Sequence, residues 1–529
     1  MCRHILALLF IVLLIQPLRA NVALEQVSSP DFDNSGVVDF PDFLLFVAKF
    51  GARQGDDKYE DRFDLDGDGE IGFDDFLHFA ANFGKTVASN GGATPTVDNR
   101  KILGSLFISK VWAGHPVSFD LLTYGDVQFV AFYDADRKMA VGMRNLDAEM
   151  WTFEQPRGVW LENRGRLSSE TGWDTHNYLT MAIDTDDHIH LSGNMHVDPL
   201  IYFRTTRPLD VTSFERIDSM VGQNEDRCTY PVFMRGPNNE LIFRYRDGSS
   251  GNAVEFYNMY DIETRTWRRL HDTPLLDGLG RMNAYARSPQ KGPDGMFHMI
   301  WMWRDTPDAA TNHDISYARS RDLVAWETGS GDALDLPITI ESGAIVDPVP
   351  PRGGMINMTQ SLGFDHQKRP VISYHKHDEN GYTQAYCARL EYGEWVVYKV
   401  SNWTYRWEFG GGGSIIAEIR LGSVNVASDG GLSMSYIHVK EGRGIWKLDP
   451  QTMQVIGTYP PLPSAIPREL ARVTSQYPGM RINTRWARGS GTRPGERYLL
   501  RWETLGRNRD LPREEIPPPS DLRLYILPK

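Results

Sequence analysis

The side chains best suited to chemistry crowd into two stretches of this 529-residue chain. The first is the run from Trp173 through Asp174, Thr175, His176 and Asn177 to Tyr178, followed by His188, His190, Ser192, Asn194 and His196. Imidazoles titrate near neutral pH and so serve as general bases, acids or metal ligands. If residues 188–196 form one extended strand, these alternate side chains share a face. His188 and His190 are then expected to be core histidines bonded to neighbouring strands. His176 and His196, at loop or strand ends, are the functional candidates. No carboxylate or cysteine spacing completes a zinc set from these imidazoles.

The second stretch holds Thr229-Tyr230-Pro231 and then Arg244, Tyr245, Arg246 and Asp247 before a Gly/Ser-rich turn. Arg244 and Arg246 share a strand face, an arrangement able to clamp a carboxylate or sulfate. A structural salt bridge to Asp247 or to another part of the sheet is the competing use of one of them. Tyr285, Arg304, Asn312 and His313 lie in further mixed aromatic and polar motifs of the kind that suit sugar rings.

A different chemistry is written near the N-terminus. Two twelve-residue loops begin 33 residues apart, one with Asp31, Asp33, Ser35, Val37, Asp39 and Asp42, the other with Asp64, Asp66, Asp68, Glu70 and Asp75. Oxygen donors at positions 1, 3, 5 and 12, with the position-7 carbonyls of Val37 and Glu70, wrap a hard cation such as Ca²⁺. Gly36 and Gly69 permit the sharp turn, and Val38 and Ile71 at position 8 are expected to pair as short strands. Each loop runs into an apolar helical segment ending at Gly51 or Gly84, a C-terminal cap residue. The pair resembles EF-hand loops, and more closely the duplicated calcium repeats of dockerin modules, although each ends in Asp rather than Glu. That resemblance implies a calcium-binding module over residues 24–85 and a protein partner docked through it.

The main body must position the first two groups. After a Gly/Thr-rich linker at 86–100, residues 101–529 repeat a polar turn followed by an alternating strand, as at 186–193, 239–246, 295–303, 368–375 and 430–438. A second strand and an aromatic opening an outermost strand complete each unit. The aromatics Trp151, Phe214, Trp267, Trp326 and Trp395 are 63, 53, 59 and 69 residues apart. Four short strands per roughly 60 residues predict β-propeller blades, seven of them. The fold class expected is mainly all-β, a seven-bladed β-propeller with a small α-helical N-terminal module. Residues 498–502 or 522–527 are expected to help join the two ends of the ring.

Composition narrows the function classes. The formal charge is −13, but residues 31–90 carry 14 Asp/Glu against 5 Lys/Arg, so the body is nearly neutral. No Lys/Arg-rich run supplies phosphate contacts, which argues against nucleic acid as a partner. Residues 1–20 read as a signal peptide: a basic start, an apolar run from Ile5 to Ile15, and a cut near Ala20 or Ala23. That run is too short to span a bilayer. The expected location is therefore secreted, extracellular or periplasmic. Beyond the signal, Cys228 and Cys387 remain, read as two unrelated buried thiols.

The motifs Tyr230-Pro231, Phe243 to Gly251, Asn283 to Tyr285, Trp303 to Thr306, Thr311 to Asp314 and Tyr317 to Leu323 together resemble the BNR-repeat-containing propeller family. That family includes ulvan lyases and related rhamnose–glucuronate-cleaving enzymes. The resemblance spans roughly residues 100–525. It implies a secreted polysaccharide lyase acting on an anionic, uronate-containing polysaccharide by β-elimination. By the same resemblance His176 and Tyr230 handle proton transfer, Arg246 neutralises the uronate, and His196 and Tyr285 support them. Arg244, Arg304, Asn312 and His313 are carried as substrate-binding candidates. A rhamnosidase-like hydrolase and a non-catalytic glycan-binding propeller are the alternatives. Sialidase is disfavoured, because Ser320 to Trp326 lacks the glycine of that family's repeat and is one residue short.

Overall fold

The computed structural model describes residues 30–85 and 102–529, apart from 34, 36, 67, 490 and 492. The expected signal peptide at 1–20, the linker at 86–100 and the turn residue Gly36 lie outside the described residues. The chain divides after Asn99 into two compact units.

The smaller unit contains two helices, α1 (Phe40–Lys49) and α2 (Phe73–Asn82), each following one acidic loop. Asp42 and Asp75 cap them: Asp42 accepts from the Asp39 amide at 2.8 Å and Asp75 from the Gly72 amide at 2.6 Å. Gly51 and Gly84, at φ +82° and +80°, end them in the left-handed conformation that favours glycine. Phe32, Phe46, Phe63 and Phe79 pack between the helices. The position-8 residues do not pair with each other as expected. Ile71 exchanges backbone bonds with Gly51 and Ala52, and Val38 with Gly84 and Lys85, so each loop is tied to the end of the helix that follows the other loop.

The larger unit is mainly β. Among its described residues are seven sheets of four or more strands and one two-stranded ribbon. Most run as up-and-down meanders. Leu179–Ile183, Ile189–Gly193, Tyr202–Thr205 and Phe214–Arg216 form one; Ser361–Phe364, Pro370–His377, Thr383–Glu391 and Glu394–Lys399 form another. One sheet joins chain regions far apart, pairing Gly104–Val111 with Ser520–Pro528, which pairs in turn with Glu496–Leu505.

Hydrophobic pattern explains strand position. Phe297–Arg304, an inner strand, is buried along its whole length, whereas the edge strand Glu394–Lys399 has only exposed and half-buried residues. Apolar residues of neighbouring sheets meet in shared clusters, as between residues 242–276 and 282–344 and between 371–387 and 419–453. The repeated aromatics anchor these contacts. Trp267 packs on Tyr260, Phe243 and Phe233 and donates its indole N–H to the Tyr202 hydroxyl at 3.1 Å. Truncating a buried tryptophan of this kind costs about 3–5 kcal/mol. Cys228 and Cys387 are both free and buried, and no described helix is long and apolar enough to cross a membrane.

Candidate functional site

The turn carrying His176 precedes the strand Leu179–Ile183. It is closed by Asp174, whose Oδ1 accepts the His176 amide at 2.8 Å while its carbonyl accepts the Asn177 amide at 3.1 Å, an Asx turn. The same carboxylate then reaches two imidazoles. His176 Nδ1–H donates to Oδ1 at 2.5 Å, and His196 Nδ1–H donates to Oδ2. The two rings stack at 4.0 Å between centroids. Burial would raise the Asp174 carboxyl, but its bonds to the two histidines hold it well below the usual carboxylate range. Burial pushes His196 below its ordinary value, with Asp174 opposing.

His196 does not continue the strand of His188 and His190, as the alternation predicted. Gly193 and Asn194 adopt φ +152° and +60°, ending Ile189–Gly193, and His196–Asp198 joins the next sheet. There the register sets His196 opposite Thr229, and Thr229 opposite Arg246. His188 and His190 are core residues, the latter bridging the Tyr202 hydroxyl at 2.7 Å and Asp184 at 3.0 Å.

Tyr230 sits in a bulge. Pro231 has no N–H for the ladder, the register slips between Thr229 and Val232, and Tyr230 takes φ +60°. The bulge re-aims the phenol, placing its oxygen 3.1 Å from His176 Nε2. Burial, reinforced by neighbouring Tyr285, drives the Tyr230 phenol far above its ordinary value. Arg246 lies over both rings, 5.0 Å from Tyr230 and 5.8 Å from Tyr285. Its Nη2 donates to Thr229 Oγ1 at 3.2 Å, while Nε and Nη1 are buried without a partner among the described residues. Tyr285 bonds Ser250 Oγ at 2.9 Å and accepts from Arg304 Nη1 at 3.3 Å. Burial would raise its phenol, but Arg246 and Arg304 together pull it below the ordinary value. Tyr230, Arg246 and Tyr285 open on a cavity of about 440 Å³ that Arg287 and Gln360 also line.

The structure therefore brings together His176, His196, Tyr230, Arg246 and Tyr285. The remaining substrate-binding candidates all carry bonds to protein partners. Arg244 lines the same cavity but is engaged by Glu255 at 2.6 and 2.9 Å, and Ser288 and the Ala286 carbonyl take its other donors. Arg304 spends its guanidinium on the Thr306 and Pro307 carbonyls and on Tyr285, so it acts on the cavity through that tyrosine. Asn312 is buried and donates to the Ala309 carbonyl at 2.6 Å. His313 is gripped by Asp305 at 3.0 Å and Asp314 at 2.9 Å; burial opposes its protonation, yet these carboxylates raise its pKa. Asp174 is a functional residue that no spacing in the sequence singles out. It supplies the carboxylate that the histidine spacing lacked, and its three-residue group with His176 and His196 is close enough to share a cation. Each imidazole, however, already donates to it.

The acidic loops form a second candidate site, in the smaller unit. Carboxylate oxygens of Asp31, Asp33 and Asp42 lie within 4.8 Å of one another, as do those of Asp64, Asp66 and Asp75. Ser35 Oγ, 3.0 Å from the Val37 carbonyl, and Asp68 turn into the same loops. Burial and the neighbouring Asp75, Asp68 and Asp64 push the Asp66 carboxyl up, with a backbone bond opposing. Three carboxylates so crowded, with a loop carbonyl beside them, fit a hard divalent cation.

No curated protein matches this chain. Among solved structures, the polysaccharide lyase Uly1 aligns with a TM-score of 0.51 at 13% identity, over 81% of this chain and 99% of that one. An ulvan lyase of the group named PL25, bound to -[GlcA(1-4)Rha3S]-, aligns with a TM-score of 0.50 at 14% identity, over 80% and 95%. At such identities the likeness is one of fold. The profile described as BNR repeat-containing family member matches residues 127–403, more than half the chain and the segment that carries His176, Tyr230 and Arg246. The chain belongs to the BNR repeat-containing family.

Proposed function

We propose that this protein is a secreted polysaccharide lyase that cleaves a uronate-containing, ulvan-like polysaccharide by β-elimination on a seven-bladed propeller. The observation that carries the reading is the 3.1 Å contact between His176 Nε2 and Tyr230, beside an arginine with two buried nitrogens that have no partner among the described residues. The fold shared with Uly1 and the ligand of the PL25 ulvan lyase support it. The seven sheets and the pairing of Gly104–Val111 with Ser520–Pro528 support a ring closed by the two ends of the body.

β-Elimination removes the C5 proton of a uronate and expels the oxygen at C4. The C5 proton becomes acidic only when the carboxylate charge is masked. Arg246 offers Nε and Nη1 for that task, and Tyr285, poised between Arg246 and Arg304, orients the same group. Asp174 holds the proton of His176 on Nδ1, leaving Nε2 as the base that takes the C5 proton. Tyr230, whose phenol burial keeps protonated, delivers its proton to the C4 oxygen as the bond breaks. The electron pair of the C5–H bond becomes the C4=C5 double bond, and the pair of the C4–O bond leaves with the departing sugar.

In the smaller unit, Asp31, Asp33, Ser35, Val37, Asp39 and Asp42 would hold one Ca²⁺, and Asp64, Asp66, Asp68, Glu70 and Asp75 a second. The ions would offset carboxylate repulsion and brace the two helices. The dockerin-like pattern further supports a protein partner for this unit.

The test is incubation of the mature protein, with calcium, against ulvan and other uronate polysaccharides, followed by near-ultraviolet absorbance. A rise marks the conjugated C4=C5 product of elimination. New reducing ends without absorbance would replace the lyase with a hydrolase, and binding without either would leave a lectin.

A further inference from the structure

The turn bearing Asp174 and His176 belongs to no sheet, so its shape must be imposed by its neighbours. At one end Trp173 meets the edge of Trp112 at 4.9 Å, with Arg137 over both rings. At the other, Tyr133 donates its hydroxyl to the Asn177 carbonyl at 2.6 Å. The midpoint, Thr175, is held by one distant carboxylate. Asp510 Oδ1 accepts both the Thr175 amide and its hydroxyl, each at 3.1 Å.

Asp510 lies in the segment 506–519, which links the strands Glu496–Leu505 and Ser520–Pro528 and falls outside the family-matched residues. Behind it sits His115, with a wholly buried side chain and Nε2 3.4 Å from the same oxygen. The imidazole also meets Trp173 edge-on at 6.3 Å. Arg509 and Asp510 both take left-handed backbone angles, φ +52° and +60°. Two consecutive non-glycine residues keep such angles only where the surroundings over-determine them. Arg509 supplies one restraint by donating to the Gly410 carbonyl at 2.9 Å.

We infer that Asp510, backed by His115, is a positioning residue: by accepting both Thr175 bonds it sets the turn from which one Asp174 carboxylate reaches two imidazoles. Asp510 does not line the cavity, and its hydrogen bonds go to Thr175 rather than to His176 or Tyr230. Only its effect on rate rests on the lyase reading; its effect on the turn does not.

The test compares full-length D510A and D510N with the unaltered protein. Asparagine keeps a carbonyl oxygen for Thr175, whereas alanine removes it. Hydrogen–deuterium exchange at the Thr175 amide should quicken at least about tenfold in D510A and stay within about threefold in D510N. On the eliminated substrate, D510A should lower kcat by about 10- to 100-fold with KM within about twofold, and D510N should recover most of that loss. Unchanged exchange in D510A, or D510N behaving like D510A, would overturn the inference. If D510A does not fold, Thr175→Val replaces it: a drop in kcat at constant KM supports the inference, and an unchanged kcat rejects it. If the unaltered protein eliminates no uronate substrate, the exchange measurement still decides, so the two readings fail separately.

Discussion

His176 Nε2 and the Tyr230 hydroxyl stand 3.1 Å apart although 54 residues separate them in the chain. One is delivered by an Asx turn that leads into the strand Leu179–Ile183, the other by a proline-induced bulge within Cys228–Arg235. Removing either group should therefore abolish proton transfer without disturbing a sheet. His176→Ala and Tyr230→Phe should each reduce kcat for elimination by about 10²–10⁴-fold, with melting temperatures near that of the unaltered protein. A variant retaining full absorbance growth would remove that residue from the mechanism.

Asp174 is asked to accept from two imidazoles at once, which an amide oxygen does less well than a carboxylate with two acceptor oxygens. Asp174→Asn should free the tautomer of one histidine and lower kcat by about 10²-fold or more. Stability should respond as well. The Asp174 carboxyl is depressed in the folded state, so its contribution is present above the unfolded value near 3.9 and is lost as pH falls below it. His196 is also depressed, so the unfolded chain takes up its proton first, below about pH 6.5. Melting temperature should thus decline in two stages on acidification. Asp174→Asn should shrink the lower stage, which other depressed carboxylates such as Asp184 and Glu503 share, and calorimetry across pH 3–8 would read both.

The alkaline limb of the rate should report Tyr285. Arg246 and Arg304 lower its phenol, whereas burial raises that of Tyr230. As pH rises, Tyr285 loses its proton first, and its phenolate then competes with the uronate for Arg246. Tyr285→Phe should move the alkaline decline of kcat/KM to higher pH. An unmoved limb would assign it to another group.

Calcium should bind the full chain with a stoichiometry of two, measured by titration calorimetry. At a concentration 100 times Kd each ion stabilises its loop by about 2.7 kcal/mol. Chelation should lower the melting of the smaller unit and leave the β unit's transition in place. Asp64→Asn should cut the stoichiometry to one.

Gly193 ends a strand at φ +152°, and a Cβ there would run into the Tyr178 carbonyl oxygen. Gly193→Ala should destabilise by about 1–3 kcal/mol and lower activity as well, because this break carries His196 into the neighbouring sheet. Denaturant unfolding checks the first effect and elimination rate the second.

What the sequence conveyed was whatever depends on local spacing. The acidic loops and the helices after them are legible because their oxygen-bearing residues recur at fixed offsets. The mainly β body is legible because polar turns and alternating strands repeat. Cross-strand facts were not legible. Nothing local announces that Glu255 claims Arg244, since that depends on the register of two strands. The positive φ at Asn194, which takes His196 off the face of His190, is a single-residue choice invisible to alternation. Equivalence of position pairs Val38 with Ile71, whereas the backbone ties each loop to the end of the other's helix. Asp510 was beyond reach altogether, lying 335 residues from the turn it holds.

The pairing of Gly104–Val111 with Ser520–Pro528 also sets a clock on biogenesis. The first strand leaves the ribosome about 400 residues before its partner, a wait on the order of 20–80 s at typical synthesis rates. Throughout that interval its hydrogen-bonding edge is open to any passing strand. Its alternating burial, with Ser105, Ser109 and Lys110 interrupting the apolar residues, gives a nascent chain that can wait without recruiting a neighbour.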